Sequence, residues 1–313
     1  MFGAIRNGSI KLFKVFGISV YLNWLWLIAA FYLVNTGLIS RHNTMLNIAG
    51  LLGLFSIVLL HEFGHALACR SVGGKADTIV LWPLGGVAYV NPPHRALPVL
   101  WTIAAGPLVN VILLPILYLA AHSHYGADLG LTIGGQRFMG ILFQIDFLLL
   151  IFNMMPVYPL DGGQILMSLL WLFMSEATAL RIAAIIGIAG GGAFFLWALQ
   201  EHSTWSMFMA IFVLFNAWQG FRISGMMKQI QQIPRRRGLH CPHCRANPPL
   251  GPHWTCFHCR SQVDLFENHA RCPSCGADLN GAIIPCIDCR KETRIADWFT
   301  VATVDPVEVG PSK

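Results

Sequence analysis

Two histidines and a glutamate, in the order His61-Glu62-Phe63-Gly64-His65, interrupt an apolar run that leads in from Leu51 to Leu60 and continues through Ala66 to Ala68. Such a run reads as a helix, and hydrocarbon penalises ionisable groups on it unless they pair or bind something. Residues four apart on a helix share a face, so His61 and His65 present two imidazoles to one metal ion. Glu62 stands beside them, where it can act as general base toward a water that the metal activates. The competing reading is a helix whose polar groups are merely buried against other polar groups, which needs three coincidences in one run.

Composition decides what surrounds this helix. Of 313 residues, 55% are hydrophobic and only 12% charged, which excludes an ordinary water-soluble globule and predicts a polytopic α-helical membrane protein. Stretches long enough to cross hydrocarbon predict about six transmembrane helices, at about 19–39, 45–69, 97–120, 137–160, 178–200 and 204–221. Leu166 to Met174 reads as a further helical piece. No signal-peptide cleavage pattern follows Arg6, Lys11 and Lys14, so the first apolar segment reads as a span. Those cations fall on one side with Arg70, Lys75 and Arg95, and with Arg222, Lys228 and Arg235 to Arg237; Arg41 and Arg137 are the exceptions on the other. Both termini are therefore expected to be cytoplasmic, and the second and fourth spans to run in the same direction. The net charge of +6 gathers at these places, so it sets orientation rather than pointing to nucleic acid, a partner the sequence disfavours.

Shared direction lets the fourth span's end approach the histidines. That end reads Asn153-Met154-Met155-Pro156-Val157-Tyr158-Pro159-Leu160-Asp161-Gly162-Gly163. Its prolines break the helix, and its paired glycines permit a sharp turn and close backbone approach, so Asp161 is presented at a helix break. Two histidines and one carboxylate leave a fourth tetrahedral position open, as in catalytic rather than structural zinc. Taken alone, Asp161-Gly162-Gly163 would read as an ordinary polar turn.

These residues resemble the site-two protease family of intramembrane zinc metalloproteases. The resemblance rests on His61-Glu62-Phe63-Gly64-His65, Pro83-Leu84-Gly85-Gly86-Val87-Ala88, Gly106-Pro107-Leu108-Val109-Asn110 and the run from Asn153 to Gly163. It implies His61, His65 and Asp161 as zinc ligands, Glu62 as catalytic base, and hydrolysis of peptide bonds within or near a transmembrane helix of a membrane-anchored substrate. It implies nothing about regulation, because some relatives carry a different domain, or none, after the membrane region. A zinc-binding transporter or sensing scaffold is the alternative class. Glu62 discriminates against it, since a hydrolase needs a carboxylate beside a retained metal and an open position.

Thr78 to Val90 is partly β-branched and interrupted by Gly85-Gly86, which predicts extended backbone whose edge can pair with an unwound substrate; a plain hairpin is the alternative. Gly85, Gly86, Asn110 and Asn153 are accordingly the candidate substrate-binding residues. Asn110 is readable as a holder of a substrate carbonyl or oxyanion and equally as interhelical glue. Gln144 and Asp146 are expected to face the bundle interior, with no catalytic task beyond a water path. Gly190-Gly191-Gly192 suggests close packing or a bend, Trp24, Trp26, Trp82, Trp101 and Trp205 interfacial anchors, His42, His122, His124 and His202 solvated loop residues, and Cys69 an inert small residue.

Residues 1–222 thus form the expected membrane metalloprotease domain, and 223–239 a basic juxtamembrane linker held to anionic lipid. Residues 240–300 are expected to form a small β-rich module that resembles a double zinc ribbon, and 301–313 a disordered tail. Eight of the nine cysteines lie in this module as C-x-x-C pairs, and proline follows the first cysteine in alternate pairs. That alternation predicts two tandem Cys₄ zinc ribbons, Cys241, Cys244, Cys256 and Cys259 holding the first ion and Cys272, Cys275, Cys286 and Cys289 the second, although spacing leaves a cross-braced pairing open. A reducing cytoplasmic side favours zinc over disulfides. The expected inventory is one catalytic and two structural Zn2+, a transmembrane protein substrate, membrane lipid, and a protein partner or substrate recruited at the ribbons.

Overall fold

The computed structural model describes residues 8–36, 44–82, 85–122, 133–268, 270–289 and 291–300. Expectations that fall on Arg6, Arg41, His42, Pro83, Leu84, His124 and residues 301–313 lie outside them, as does the side chain of Arg137. The chain divides into two compact units, Met1–Gly225 and Met226–Lys313.

In the first unit a hairpin comes first, formed by β1 (Ser9–Val15) and β2 (Ile18–Asn23). Phe16 and Gly17 both take positive φ, 48° and 77°, as a two-residue turn matched to strand twist requires. Residues 19–23, expected to open the first span, are therefore strand. Ile18 and Val20 alternate into the core, and Asn23 Oδ1 accepts from the Leu25 amide at 3.1 Å to open helix α1 (Leu25–Thr36). Apolar content alone does not separate such a strand from the start of a membrane helix.

Helix α2 (Thr44–Ser71) carries the two histidines, and Gly73, at φ 81°, ends it. Strands β3 (Lys75–Trp82) and β4 (Gly85–Asn91) follow as an antiparallel pair. The sheet runs β1-β2-β3-β4, with β2 and β3 parallel, a pairing that needs the crossover supplied by α1 and α2. Ile18, Val20, Ile79 and Leu81 pack with Ala66 and Cys69 of α2 in one buried cluster. That packing brings the hairpin beside the second half of α2.

The remaining helices of this unit are α3 (Ala96–His122), α4 (Ile133–Met154), α5 (Asp161–Trp171), α6 (Glu176–Gln200) and α7 (Thr204–Gln232). Helix α3 is central to the site, packing against α2, α4 and α5. Four helices among the described residues, α2, α3, α6 and α7, are long and apolar enough to cross a membrane, and the protein is an integral membrane protein. Gln144 is exposed while Asp146 is fully buried, contrary to the expectation that both face inward. Two residues apart on a helix means roughly 200° of rotation, so they point to opposite sides. Trp26 is buried too, edge-on to Phe55 with centroids 6.3 Å apart, rather than interfacial.

The second unit folds around the cysteine pairs. Strands β5 (Trp254–Thr255) and β6 (Gln262–Val263) flank Cys256 to Cys259, and β7 (Ile283–Pro285) and β8 (Glu292–Arg294) flank Cys286 to Cys289, before a short helix α8 (Ile295–Thr300). One core, including Val263, Leu265, Phe266, Ala270, Leu279, Ile284, Ile295 and Trp298, serves the whole module. Arg235 and Arg236, expected to meet lipid heads from a linker, are instead tied into this unit. Arg235 pairs with Asp288 through both terminal nitrogens at 3.0 and 3.2 Å, and Arg236 Nη2 donates to Asp264 Oδ2 at 2.7 Å. Helix α7 also runs on to Gln232, so little of 223–239 is linker.

Candidate metal centres

Helix α2 sets His61 and His65 on one face, and α3 crosses it at close range. A Cβ at Gly64 would collide with the Ala105 carbonyl, and one at Gly106 with the His65 ring, so both glycines are needed for close approach. The crossing supplies partners for the imidazoles. His61 Nδ1 lies 2.6 Å from Asn110 Oδ1, and His65 Nδ1 lies 2.9 Å from the Thr102 carbonyl. Both partners are oxygen acceptors, so each Nδ1 carries the hydrogen and each Nε2 presents a lone pair.

Asp161 arrives as the first residue of α5. After α4 ends at Met154 the chain turns through Pro156 and Pro159, and Gln164 Nε2 donates back to the Pro159 carbonyl at 2.9 Å. Gly162 and Gly163 are helical, and a Cβ on either would strike the backbone of 154–158; close approach, rather than a turn, is their task. Gly187 of α6 and Gly220 of α7 leave room for Tyr158, and Gly190 for Val157. Small residues thus seat the connection that aims Asp161, while Gly192 faces open space.

Three lone-pair atoms then meet: His61 Nε2 and His65 Nε2 lie 3.1 Å apart, and Asp161 Oδ2 lies 3.0 and 3.4 Å from them. All three residues form one ligand cluster, and Asp161 Oδ2 is buried with no hydrogen bond. Acceptors converging without a proton between them repel unless a cation stands among them. Tetrahedral zinc with ligands near 2.05 Å separates its donors by about 3.3 Å, so the donor set fits.

Glu62, 6% exposed, points to the hairpin, and its Oε2 accepts from the Ala88 amide of β4 at 2.8 Å. A Cβ at Gly86 would collide with that carboxyl, which gives this glycine a reason independent of substrate; Gly85 instead adopts φ 138° with open space around it. Asn110 is fully buried with both amide atoms engaged, Nδ2 donating to Asp146 Oδ1 at 2.5 Å. Asn110 is thus out of reach of a substrate carbonyl, and of its two expected roles the interhelical one matches the geometry. Asn153 is half-buried in the last turn of α4 and makes no side-chain hydrogen bond among the described residues. The tie from Asn110 to Asp146 and the Thr102 carbonyl were not foreseen. Asp146 was visible as a lone acid in an apolar helix, whereas a backbone carbonyl carries no residue signal.

In the second unit the cysteines cluster as Cys241, Cys244, Cys286 and Cys289, and as Cys256, Cys259, Cys272 and Cys275. This nested grouping replaces the expected sequential one. Spacers of similar length cannot choose among pairings, and the shared core does so by folding the middle pairs together and closing the outer pairs around them. Closest sulfur separations between pairs are 3.6 to 3.9 Å. Zinc bound by thiolates at 2.3 Å requires about 3.8 Å between sulfurs, whereas a disulfide requires about 2 Å. The Ser261 hydroxyl lies 3.5 Å from Cys272 Sγ, where it can donate to a thiolate.

A polytopic helical fold thus brings a histidine pair and an aspartate at a helix break into one candidate metal site. Residues 49–133 and 128–199 match peptidase family M50. A zinc metalloprotease of Methanocaldococcus jannaschii is 31% identical over 219 residues, covering 69% of this chain and 62% of the relative. A relative from Synechocystis sp. is 30% identical over 250 residues, covering 73% and 64%. The chain thus spans under two thirds of the length of these curated relatives. Among solved structures, a site-2 protease from Methanocaldococcus jannaschii aligns at TM-score 0.53 and 27% identity, over 68% of this chain and 95% of that one.

Proposed function

We propose that the protein is an intramembrane zinc metalloprotease that hydrolyses peptide bonds within or near transmembrane helices of membrane-anchored proteins. The observation that carries this reading is the convergence of His61 Nε2, His65 Nε2 and Asp161 Oδ2 within 3.0 to 3.4 Å, with the Glu62 carboxyl on the adjacent residue. A zinc ion held by His61, His65 and Asp161 would supply Lewis-acid polarisation and acidify a water. Glu62 accepts the proton of the attacking water and returns it to the leaving amine. The Ala88 amide keeps Glu62 aimed, and the edge of β4 beside it offers an unwound substrate a strand to pair with. Gly85, Gly86 and Asn153 are the residues proposed to contact that substrate.

Six crossings complete the reading, with α1 and α4 joining the four long helices, and the distribution of Lys and Arg assigns both termini to the cytoplasm. One catalytic and two structural zinc ions are the expected load, and the ribbons recruit a protein partner or substrate. Glu62→Gln keeps shape and hydrogen bonding but removes the base. In membranes it should retain zinc and lose cleavage by at least about a hundredfold, with single-span proteins accumulating uncut as identified by mass. Full cleavage by this variant would sink the mechanism, and metal transport without cleavage by either form would indicate a transporter.

A further inference from the structure

Asp146 is the one buried carboxylate of the first unit's described residues that the proposed mechanism does not use. It lies in α4 amid apolar neighbours, fully buried; its Oδ1 is 2.5 Å from Asn110 Nδ2, and its Oδ2 has no hydrogen-bond partner. Asn110 in turn places Oδ1 2.6 Å from His61 Nδ1. A side-chain amide can present either end to a neighbour, and the two ends impose opposite tautomers on the imidazole. With the NH₂ group toward Nδ1, His61 would carry its hydrogen on Nε2, where the lone pair for the metal has to be.

The Asp146 carboxyl meets Asn110 through Oδ1 as an acceptor. Placed against Asn110 it draws the NH₂ end to itself and turns Oδ1 to His61. We infer that Asp146 is a positioning residue: through Asn110 it fixes the His61 tautomer and thereby the strength with which the cluster holds its metal. Second partners of this kind commonly act directly on a ligating histidine. Here the carboxylate acts at one remove, across three helices, α4 to α3 to α2.

The inference rests on the metal-site reading, so its test uses the purified full chain and zinc itself, titrated against a competing chelator. Asp161→Ala defines which zinc belongs to the cluster, the tail sites being common to all variants. Asp146→Leu keeps bulk without an acceptor and should weaken the Asp161-dependent zinc by about 10- to 100-fold while helical content and melting stay as in wild type. Asp146→Asn can still accept from Asn110 but permits either amide orientation, so roughly half the molecules are competent and the loss should be about twofold. If Asp146→Leu does not fold, Asp146→Ala is held to the same expectation. Wild-type zinc affinity in the folded Leu or Ala variant overturns the inference, as does a loss in Asp146→Asn equal to theirs. Zinc undiminished in Asp161→Ala instead overturns the metal-site reading itself.

Discussion

The histidine–aspartate cluster and the cysteine clusters are both built to hold a metal, yet they differ in what closes around it. In the first unit three donors come from helices, the two histidines each held by a second partner, and the Glu62 carboxyl, tied to the Ala88 amide, stands beside them. In the second unit four sulfurs complete each tetrahedron, leaving no position for a reactant. The first arrangement therefore suits chemistry on a scaffold that folds by helix packing, and the second suits a metal that would stabilise a module with a small core.

That contrast is sharpest under metal removal. A chelator should unfold residues 226–313, since each closed site contributes on the order of 10 kcal/mol, while the helices of the first unit keep their far-ultraviolet signature and melting. A tail that stays folded without metal would erase the distinction. Within the tail the nesting predicts an asymmetry. Cys272→Ser, in the middle cluster, disturbs the shared core and should release both zinc ions, whereas Cys289→Ser, in the outer cluster, should release one, as counted by elemental analysis. Independent loss in both variants would mean that the clusters do not depend on one another. Smaller effects belong to the residues that dock the arginines. Asp264 accepts from Arg236, the Gly251 amide and the Phe266 amide, so Asp264→Ala should cost the module about 3 kcal/mol in denaturant unfolding. Arg235→Ala removes a more exposed pair and should cost about 1 kcal/mol or less.

Elements governed by local periodicity were legible: the long helices, the C-x-x-C pairs, and the HExxH spacing that sets two imidazoles on one face. The hairpin at Ser9–Asn23 was not, because a β-branched apolar stretch has the same hydropathy as the start of a span until its turn residues are given weight. Asn110 remained ambiguous for a different reason. An amide in a membrane helix can face substrate, another helix or a ligand, and the decision rests on His61 and Asp146, which come from other elements.

By itself the sequence determined which residues are candidates for chemistry: the histidine pair, the acid between them, and the breaks and glycines that let Asp161 approach. These follow from residue type and short-range spacing, which the chain carries in one dimension. Tertiary structure alone decided how the cysteine pairs combine, that Arg235 and Arg236 belong to the ribbon unit, and that a buried acid on α4 reaches His61 through Asn110. Each of those is a pairing between segments far apart in sequence, and similar local patterns permit several such pairings until packing of a common core selects one.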